Sequence, residues 1–148
     1  MGRKRKKISC FAGISVCNVG HCNESVIKAA KKQMDSFVHI SNLYYGQSQV
    51  KLGEEFVKRT FKKGRVFLSN SGAEANECAI KLARKWGFLN PSKIGSRYKV
   101  TCFNNSFHGR TLATISAIGQ KKFHEYLKPL QEKFVFAEIS NIDSVKNL

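Results

Sequence analysis

The chain has 148 residues and a mass of 16.7 kDa, the size of one domain or slightly more. Apolar residues make up 42% of it and charged residues 24%, a balance typical of globular proteins and unlike that of disordered ones. No run approaches the roughly 18 uninterrupted apolar residues that a membrane-spanning helix needs. The composition therefore predicts a globular chain that does not cross a membrane.

The net charge is strongly positive, because 26 Lys and Arg face 10 Asp and Glu, which gives a formal charge of +16. Such an excess fits a basic protein that binds a polyanion, or a solvated surface that attracts small anions. The basic residues are spread along the chain without a nucleic-acid-binding motif, so we favour the second interpretation. The alternative is a small basic protein that binds polyanions and has kept an old scaffold. The basic run at 3–7 is assigned to a disordered tail over residues 1–7.

The chain contains five cysteines, at Cys10, Cys17, Cys22, Cys78 and Cys102. An odd number of cysteines without a secretory signal favours reduced thiols and a cytoplasmic protein. Their spacing forms no CxxC pair and matches no zinc-site signature, so we predict no metal site.

The first half of the chain predicts two amphipathic helices. Residues 8–22 contain the glycines of an extended or turning segment. Asn23 is suited to cap a helix over about 24–36, and a second helix is predicted over about 48–61. The apolar residues expected to face inward are Val26, Ile27, Ala30, Met34 and Phe37 in the first helix and Leu52, Phe56 and Val57 in the second.

The second half alternates strands and helices. The predicted elements are a buried strand at 66–68, a helix over about 73–87, a strand at 98–103, a helix near 109–118, a strand at 134–136 and a helix from Ser140. The first of these helices carries an apolar stripe, made of Ala75, Cys78, Ala79, Leu82 and Trp86. Strands separated by helices imply parallel pairing and an α/β fold. Since three strands do not complete such a sheet, we expect an incomplete parallel sheet with flanking helices.

The stretch 68–77, Leu-Ser-Asn-Ser-Gly-Ala-Glu-Ala-Asn-Glu, lies where a predicted strand passes into a helix. Ser71 followed by Glu74 is a capping-box pattern, which places the helix N-terminus at Ser71. First-turn amides have no acceptor within the helix, and Gly72 lets a ligand approach the backbone. Two interpretations are open: a phosphate-binding cradle at the end of a parallel strand, or a helix cap without a ligand.

A second polar stretch, Asn-Ser-Phe-His-Gly-Arg-Thr at 105–111, follows the next predicted strand and is expected to lie beside the first. Phe107 has a flat face for a heterocycle, and Arg110 has two parallel donors for a carboxylate. The alternative is a core phenylalanine and a surface arginine. His108 has no identifiable carboxylate partner, so we favour a hydrogen-bonding or packing role for it over acid–base chemistry.

In their order and spacing, these motifs resemble those of the class III aminotransferases, which depend on pyridoxal 5′-phosphate (PLP). The resemblance is strongest to the acetylornithine aminotransferase branch and extends over about residues 10–148. It is carried by Phe11-Ala12-Gly13-Ile14, Gly20-His21, Ser41-Asn42-Leu43-Tyr44-Tyr45, 70–77, Ile80-Lys81-Leu82-Ala83-Arg84, 107–111 and Pro129-Leu130.

The resemblance implies a role for each matching residue. The amides of Gly72 and Ala73 would bind the cofactor phosphate, and Ser71 would cap the same helix. Phe107 would stack on the pyridine ring, and Arg110 would hold the substrate's α-carboxylate. Members transfer an amino group from N-acetylornithine to 2-oxoglutarate in arginine biosynthesis and act as homodimers. Related members act instead on ornithine, succinylornithine or 4-aminobutyrate.

The resemblance also implies residues that this sequence does not contain. Members have a Schiff-base Lys, an Asp paired with the pyridine nitrogen and a partner-subunit Thr, all at positions beyond Leu148. We therefore assign no catalytic residue and expect the chain to be inactive alone. Where members usually have an acidic residue and His-Pro, this chain has Cys10 and Asn23-Glu24. The expected fold is the N-terminal part of a fold type I PLP-dependent transferase, with a small-domain segment at 8–62 and a truncated large domain at 63–148.

Overall fold

The computed structural model describes residues 10–93 and 95–148, so the tail predicted over residues 1–7 lies outside the described residues. The chain divides into two compact units, one up to Gly64 and one from Arg65 onward. The assignment of these regions to a small and a large domain stays a prediction. Among the described residues, no helix combines the length and the apolar character that spanning a membrane requires.

The first unit begins with a turn and a capped helix. The turn, α1 (Ala12–Ser15), contains left-handed backbone angles, in line with the turning segment predicted there. Helix α2 (Glu24–Ser36) matches the predicted bounds. The side-chain oxygen of Asn23 accepts hydrogen bonds from the amides of Ser25 and Val26, at 3.1 and 3.3 Å, which confirms the predicted cap.

Helix α3 (Gln47–Arg59) completes the first unit, and within α2 and α3 no residue is buried. Several of the residues expected to face inward are more than half exposed, among them Met34 by 58%, Leu52 by 55% and Phe56 by 52%, and Ile27 is 39% exposed. The predicted buried faces of these helices are therefore wrong for the described structure. Helical spacing shows which apolar residues share a face, but not whether another element covers that face.

The second unit is a parallel α/β arrangement, as predicted. Its elements are α4 (Gly72–Leu89), β1 (Val100–Phe103), α5 (Leu112–Ser116), a 3₁₀ turn (Lys121–Phe123), β2 (Phe134–Ala137) and α6 (Ile142–Lys146). The two strands form a parallel sheet in which Val100 lies opposite Phe134 and Phe103 lies opposite Ala137.

The strand predicted at 66–68 does not form, and this expectation is wrong. Its residues have no regular structure, and Val66, Phe67 and Leu68 are 36%, 67% and 45% exposed. A strand exists only where a neighbour pairs with its backbone, and no part of the chain that the structure describes pairs with these residues. The predicted three-stranded sheet is therefore two-stranded.

Helix α4 starts where the capping pattern predicts. The Ser71 Oγ accepts a hydrogen bond from the Glu74 amide at 3.2 Å. The Glu74 carboxylate accepts a hydrogen bond from the Asn70 amide at 2.6 Å, so the return bond reaches one residue further back than the predicted capping box requires.

The buried side of α4 is not the predicted apolar stripe. Its buried residues are Ile80 and Gly87, whereas Leu82 and Trp86 are 60% and 57% exposed. Gly87 lies against the backbone of Arg97, where a Cβ would come within 1.7 Å of the carbonyl oxygen. Close approach of another segment, and not apolar periodicity, therefore decides which side of the helix is covered.

The core of the second unit gathers around the sheet and α5. Its buried apolar residues are Ile80, Cys102, Ile115, Ala117, Ile118 and Ala137. Burial raises the pKa of the Cys102 thiol above its ordinary value, because desolvation disfavours the thiolate.

Helix α5 begins at Leu112, three residues after the predicted start at position 109. The cause is local: Gly109 has a φ of +131°, which no right-handed helix contains, and Thr111 caps the helix. The Thr111 Oγ1 accepts from the Thr114 amide at 3.3 Å, and the Thr111 amide donates to the Thr114 Oγ1 at 2.9 Å.

Gly109 also allows two segments to approach closely. It is buried, and a Cβ built on it would lie 2.6 Å from the Cβ of Ala73 and 2.8 Å from the Oγ1 of Thr114. The absence of a side chain at Gly109 therefore lets the 105–111 segment lie directly against the start of α4.

We expect Gly109→Ala to lower the free energy of unfolding by about 2–4 kcal/mol, since the methyl group must displace Ala73 and the backbone angle is unfavourable for alanine. Urea denaturation followed by circular dichroism measures this loss. Gly64→Ala is the matched control, because Gly64 has a similar φ of +142° and nothing within 4 Å of a built Cβ. Equal losses in the two variants would refute the contact with Ala73 as the cause.

We expect Ser71→Ala to lower the free energy of unfolding by about 1 kcal/mol, because the Glu74 amide loses its acceptor. Ser71→Asp should retain most of the stability, since its carboxylate accepts the same bond and interacts favourably with the helix dipole. Thermal denaturation compares the three proteins. An unchanged midpoint in Ser71→Ala would contradict a stabilising role for the cap.

Candidate functional site

The N-terminus of α4 presents two free backbone amides. Those of Gly72 and Ala73 have no acceptor among the described residues, whereas the Glu74 amide donates to Ser71. A Cβ built on Gly72 would meet nothing within 4 Å, so open space adjoins the backbone there. Free amides at the positive end of a helix dipole favour an anionic ligand.

The 105–111 segment is fixed against the first two turns of α4, as the motif order predicts. The Asn76 Nδ2 donates to the His108 carbonyl oxygen at 2.7 Å, and the Thr111 Oγ1 donates to the Glu77 Oε1 at 2.5 Å. With the glycine contact described above, these bonds bring the two sequence motifs together at one end of the helix.

Phe107 is a surface residue and not a core residue. Its side chain is 56% exposed. It contacts the ring of Phe123 edge to face, with the centroids 6.1 Å apart and the planes at 66°. More than half of the Phe107 side chain therefore remains open to a flat ligand.

Arg110 is exposed and has no carboxylate partner among the described residues. The ion pairs in that part of the chain are Lys58–Glu55, Arg59–Glu55 and Lys146–Asp143. The guanidinium carbon of Arg110 lies 5.7 Å from the ring centroid of Phe123, a cation–π contact. Its N–H donors are consequently free to bind a carboxylate from a ligand.

His108 occupies a hydrogen-bonding position. Its Nδ1 lies 3.5 Å from the Ser106 Oγ, and its backbone carbonyl is bound by Asn76. No carboxylate pairs with this ring within the described residues. His108 thus has a hydrogen-bond partner in Ser106, and the structural role favoured from the sequence stays a prediction.

Three residues that shape this site were given no role from the sequence: Asn76 and Glu77, which lie inside the first motif, and Phe123, which lies outside both motifs. Asn76 and Glu77 lie three and four positions after Ala73, so helical spacing places them on the side of α4 that meets the second motif. Phe123 has no comparable signal, because it lies in a separate turn and reaches the site only through the fold.

Taken together, the site offers free amides, an exposed aromatic ring and an unpaired guanidinium. The amides suit a phosphate, the ring suits a flat heterocycle and the guanidinium suits a carboxylate. The site residues predicted from the sequence thus all lie in the second unit, around the start of α4 and the segment packed against it.

Comparison with known proteins agrees with this arrangement. The sequence model of the family described as aminotransferase class III matches residues 4–147. Acetylornithine aminotransferases from Wolinella succinogenes and Aquifex aeolicus are 46% and 42% identical to the chain, over 93% of its length in both cases. The matched regions make up 34% and 36% of those proteins, so the chain spans about a third of the length of these curated relatives.

A solved structure shows the same fold. The ornithine aminotransferase from Toxoplasma gondii superposes with a TM-score of 0.82 at 26% identity, over 93% of this chain and 32% of that one. This likeness confirms the predicted fold class, that of the PLP-dependent transferases. Because the family model covers nearly every residue, the chain belongs to the class III aminotransferase family.

Proposed function

We propose that this chain provides the phosphate, ring and carboxylate contacts of a PLP-dependent amino transfer of the acetylornithine type. The observation that carries the proposal is the packing of the 105–111 segment against the free amides of α4. This packing brings the free amides of the helix end, the Phe107 ring and the Arg110 guanidinium into one region, which supports the proposal. The Toxoplasma gondii relative, in which PLP partially occupies the active site, supports the choice of cofactor.

The residues present fit PLP. The amides of Gly72 and Ala73 donate to its phosphate, and the space beside Gly72 lets that phosphate reach the backbone. Ser71 keeps the helix end ordered without using either amide. Phe107 packs against the pyridine ring, through the exposed part of its own ring. When bound, PLP supplies an electron-withdrawing ring that stabilises negative charge on the substrate carbon.

Arg110 orients the substrate in this proposal. Its two parallel N–H groups bind the α-carboxylate as a fork, which fixes both the position and the plane of that group. The contacts of Asn76 and Thr111 hold the backbone on either side of Arg110 against α4. The arginine is therefore placed relative to the phosphate-binding amides by direct bonds between the two segments.

The proposed amino donor is N-acetylornithine and the proposed acceptor is 2-oxoglutarate. The similar proteins from Wolinella succinogenes and Aquifex aeolicus are acetylornithine aminotransferases, which supports this choice over ornithine, succinylornithine or 4-aminobutyrate. Both substrates are carboxylates, and the formal charge of +16 favours their approach. A homodimer in the cytoplasm is part of the same proposal.

We expect the 148-residue chain to bind pyridoxamine 5′-phosphate more tightly than pyridoxamine, by about tenfold to a hundredfold, because charge-assisted hydrogen bonds from the amides reach only the phosphate. Isothermal titration calorimetry measures both affinities. The amine form avoids the aldehyde of PLP, which reacts with surface lysines. Equal affinities for the two ligands would contradict phosphate binding by this chain.

Gly72→Pro tests the amide, and Gly72→Ala, which adds bulk in the same open space but keeps the amide, separates loss of the donor from added bulk. Proline is tolerated at the first position of a helix and the preceding Ser71 is extended, so the change removes one donor without breaking α4. Binding of pyridoxamine 5′-phosphate should weaken about tenfold while binding of pyridoxamine stays unchanged. Gln47→Pro, the equivalent change at the start of α3, is the control and should alter neither affinity.

We expect the purified chain to show no transaminase turnover with N-acetylornithine and 2-oxoglutarate, because we assign none of its lysines to a covalent bond with the cofactor. Glutamate formation in a coupled assay measures turnover. The Aquifex aeolicus acetylornithine aminotransferase provides the positive control. Turnover by this chain, after removal of host enzymes, would show that it contains a competent lysine.

A further inference from the structure

We infer that Phe123 is a positioning residue that holds both Phe107 and Arg110 in place, an inference that rests on the proposed function. Its ring contacts the Phe107 ring edge to face at 6.1 Å, and the Arg110 guanidinium lies 5.7 Å from its centroid. One half-buried side chain thus contacts both the proposed ring-stacking residue and the proposed carboxylate-binding residue. Neither motif contains it.

The 3₁₀ turn that carries Phe123 is tied to the site on both sides. Before the turn, the Gln120 Nε2 donates to the carbonyl oxygens of Asn105 and Ser106, at 3.2 and 3.3 Å. After the turn, the His124 Nε2 donates to the Ile115 carbonyl oxygen at 3.0 Å. These bonds fix the Phe123 backbone relative to the segment that carries Phe107 and relative to α5.

An aromatic partner suits a carboxylate-binding arginine better than an acidic partner does. A cation–π contact with a ring that has no hydrogen-bond acceptor leaves the N–H groups of the guanidinium available to a bound carboxylate. Phe123 is uncharged, so it restricts Arg110 without neutralising it. The Lys122 ammonium, 5.1 Å from the same ring centroid, adds a second positive charge. The turn therefore both orders Arg110 and keeps its surroundings positive.

This arrangement also lowers the entropic cost of binding. An exposed arginine side chain samples many rotamers, and a ligand that immobilises it must offset that loss of freedom. Because Phe123 contacts both Arg110 and Phe107, it reduces the freedom of both side chains before the ligand arrives. Loss of the aromatic ring should consequently weaken ligand binding even where the fold is unchanged.

Two probes separate the carboxylate contact from the others. Pyridoxamine 5′-phosphate contains the phosphate and the ring, and N-(5′-phosphopyridoxyl)-L-alanine adds a single carboxylate, the α-carboxylate. The ratio of their affinities for the chain, measured by calorimetry, reports the contribution of Arg110, and Arg110→Gln should abolish the gain. A side chain with only a structural role would change both affinities together and leave their ratio unchanged.

We expect Phe123→Leu to reduce this affinity ratio by about threefold to tenfold and Phe123→Tyr to restore it, because tyrosine keeps the aromatic face. Tyr126→Leu is the matched control, since it removes an aromatic ring that is 89% exposed, and it should leave the ratio unchanged. Circular dichroism confirms that each variant keeps its helices.

The possible outcomes distinguish the two claims. An unchanged ratio in Phe123→Leu, with normal binding by the parent chain, overturns the positioning role alone. Failure of the parent chain to bind either probe overturns the proposed function and this inference with it. A second readout needs no variant: the Arg110 side-chain protons should show an upfield ring-current shift in the NMR spectrum of the parent chain. Unshifted protons would overturn the inference even if Phe123→Leu failed to fold.

Discussion

The candidate site depends on the contact between Gly109 and Ala73. Only a glycine has both the φ of +131° and the lack of a side chain that this approach needs. The contact brings the backbone of the second motif against the start of α4, where Asn76 and Glu77 then bind the residues on either side of Arg110. Without this approach, the free amides and the guanidinium would belong to two separate surface segments.

The helix caps could be predicted from the sequence because their interactions span a few residues. The parallel pairing of β1 and β2 could be predicted because helices separate the strands along the chain. The caps at Asn23 and Ser71 join side chains to amides within the next turn, so the local pattern contains all the information needed. The run at 66–68 shows the opposite case. Its apolar residues are typical of a strand, but a strand also needs a paired neighbour, which no local pattern supplies. The apolar stripe of α4 is likewise not the buried side of the helix, because burial depends on which segment packs against it.

Some residues of the candidate site could likewise be predicted from the sequence, and others could not. Phe107 and Arg110 could be proposed because their motif joins an aromatic ring and a guanidinium at the end of a strand and resembles that of a known family. Asn76 lies on the matching side of its helix, yet its partner is the backbone of His108, which any residue carries. Phe123 is joined to the site through a turn whose anchoring bonds run to distant backbone carbonyls. Because every residue has a backbone carbonyl oxygen, a hydrogen bond to that atom cannot be predicted from the identity of the acceptor residue.

These contacts share an electrostatic property that matters for anionic ligands. Gly109 meets a methyl group, Asn76 binds a carbonyl oxygen, and Arg110 makes a cation–π contact with a neutral ring, so none of them places a carboxylate against the arginine. Glu77 is the acidic residue that binds this segment, and it accepts a hydrogen bond from a hydroxyl group and pairs with no cation among the described residues. A site held together by salt bridges would neutralise the charges that a phosphate and a carboxylate need. Neutral contacts therefore assemble this site and leave its positive groups available to the ligand.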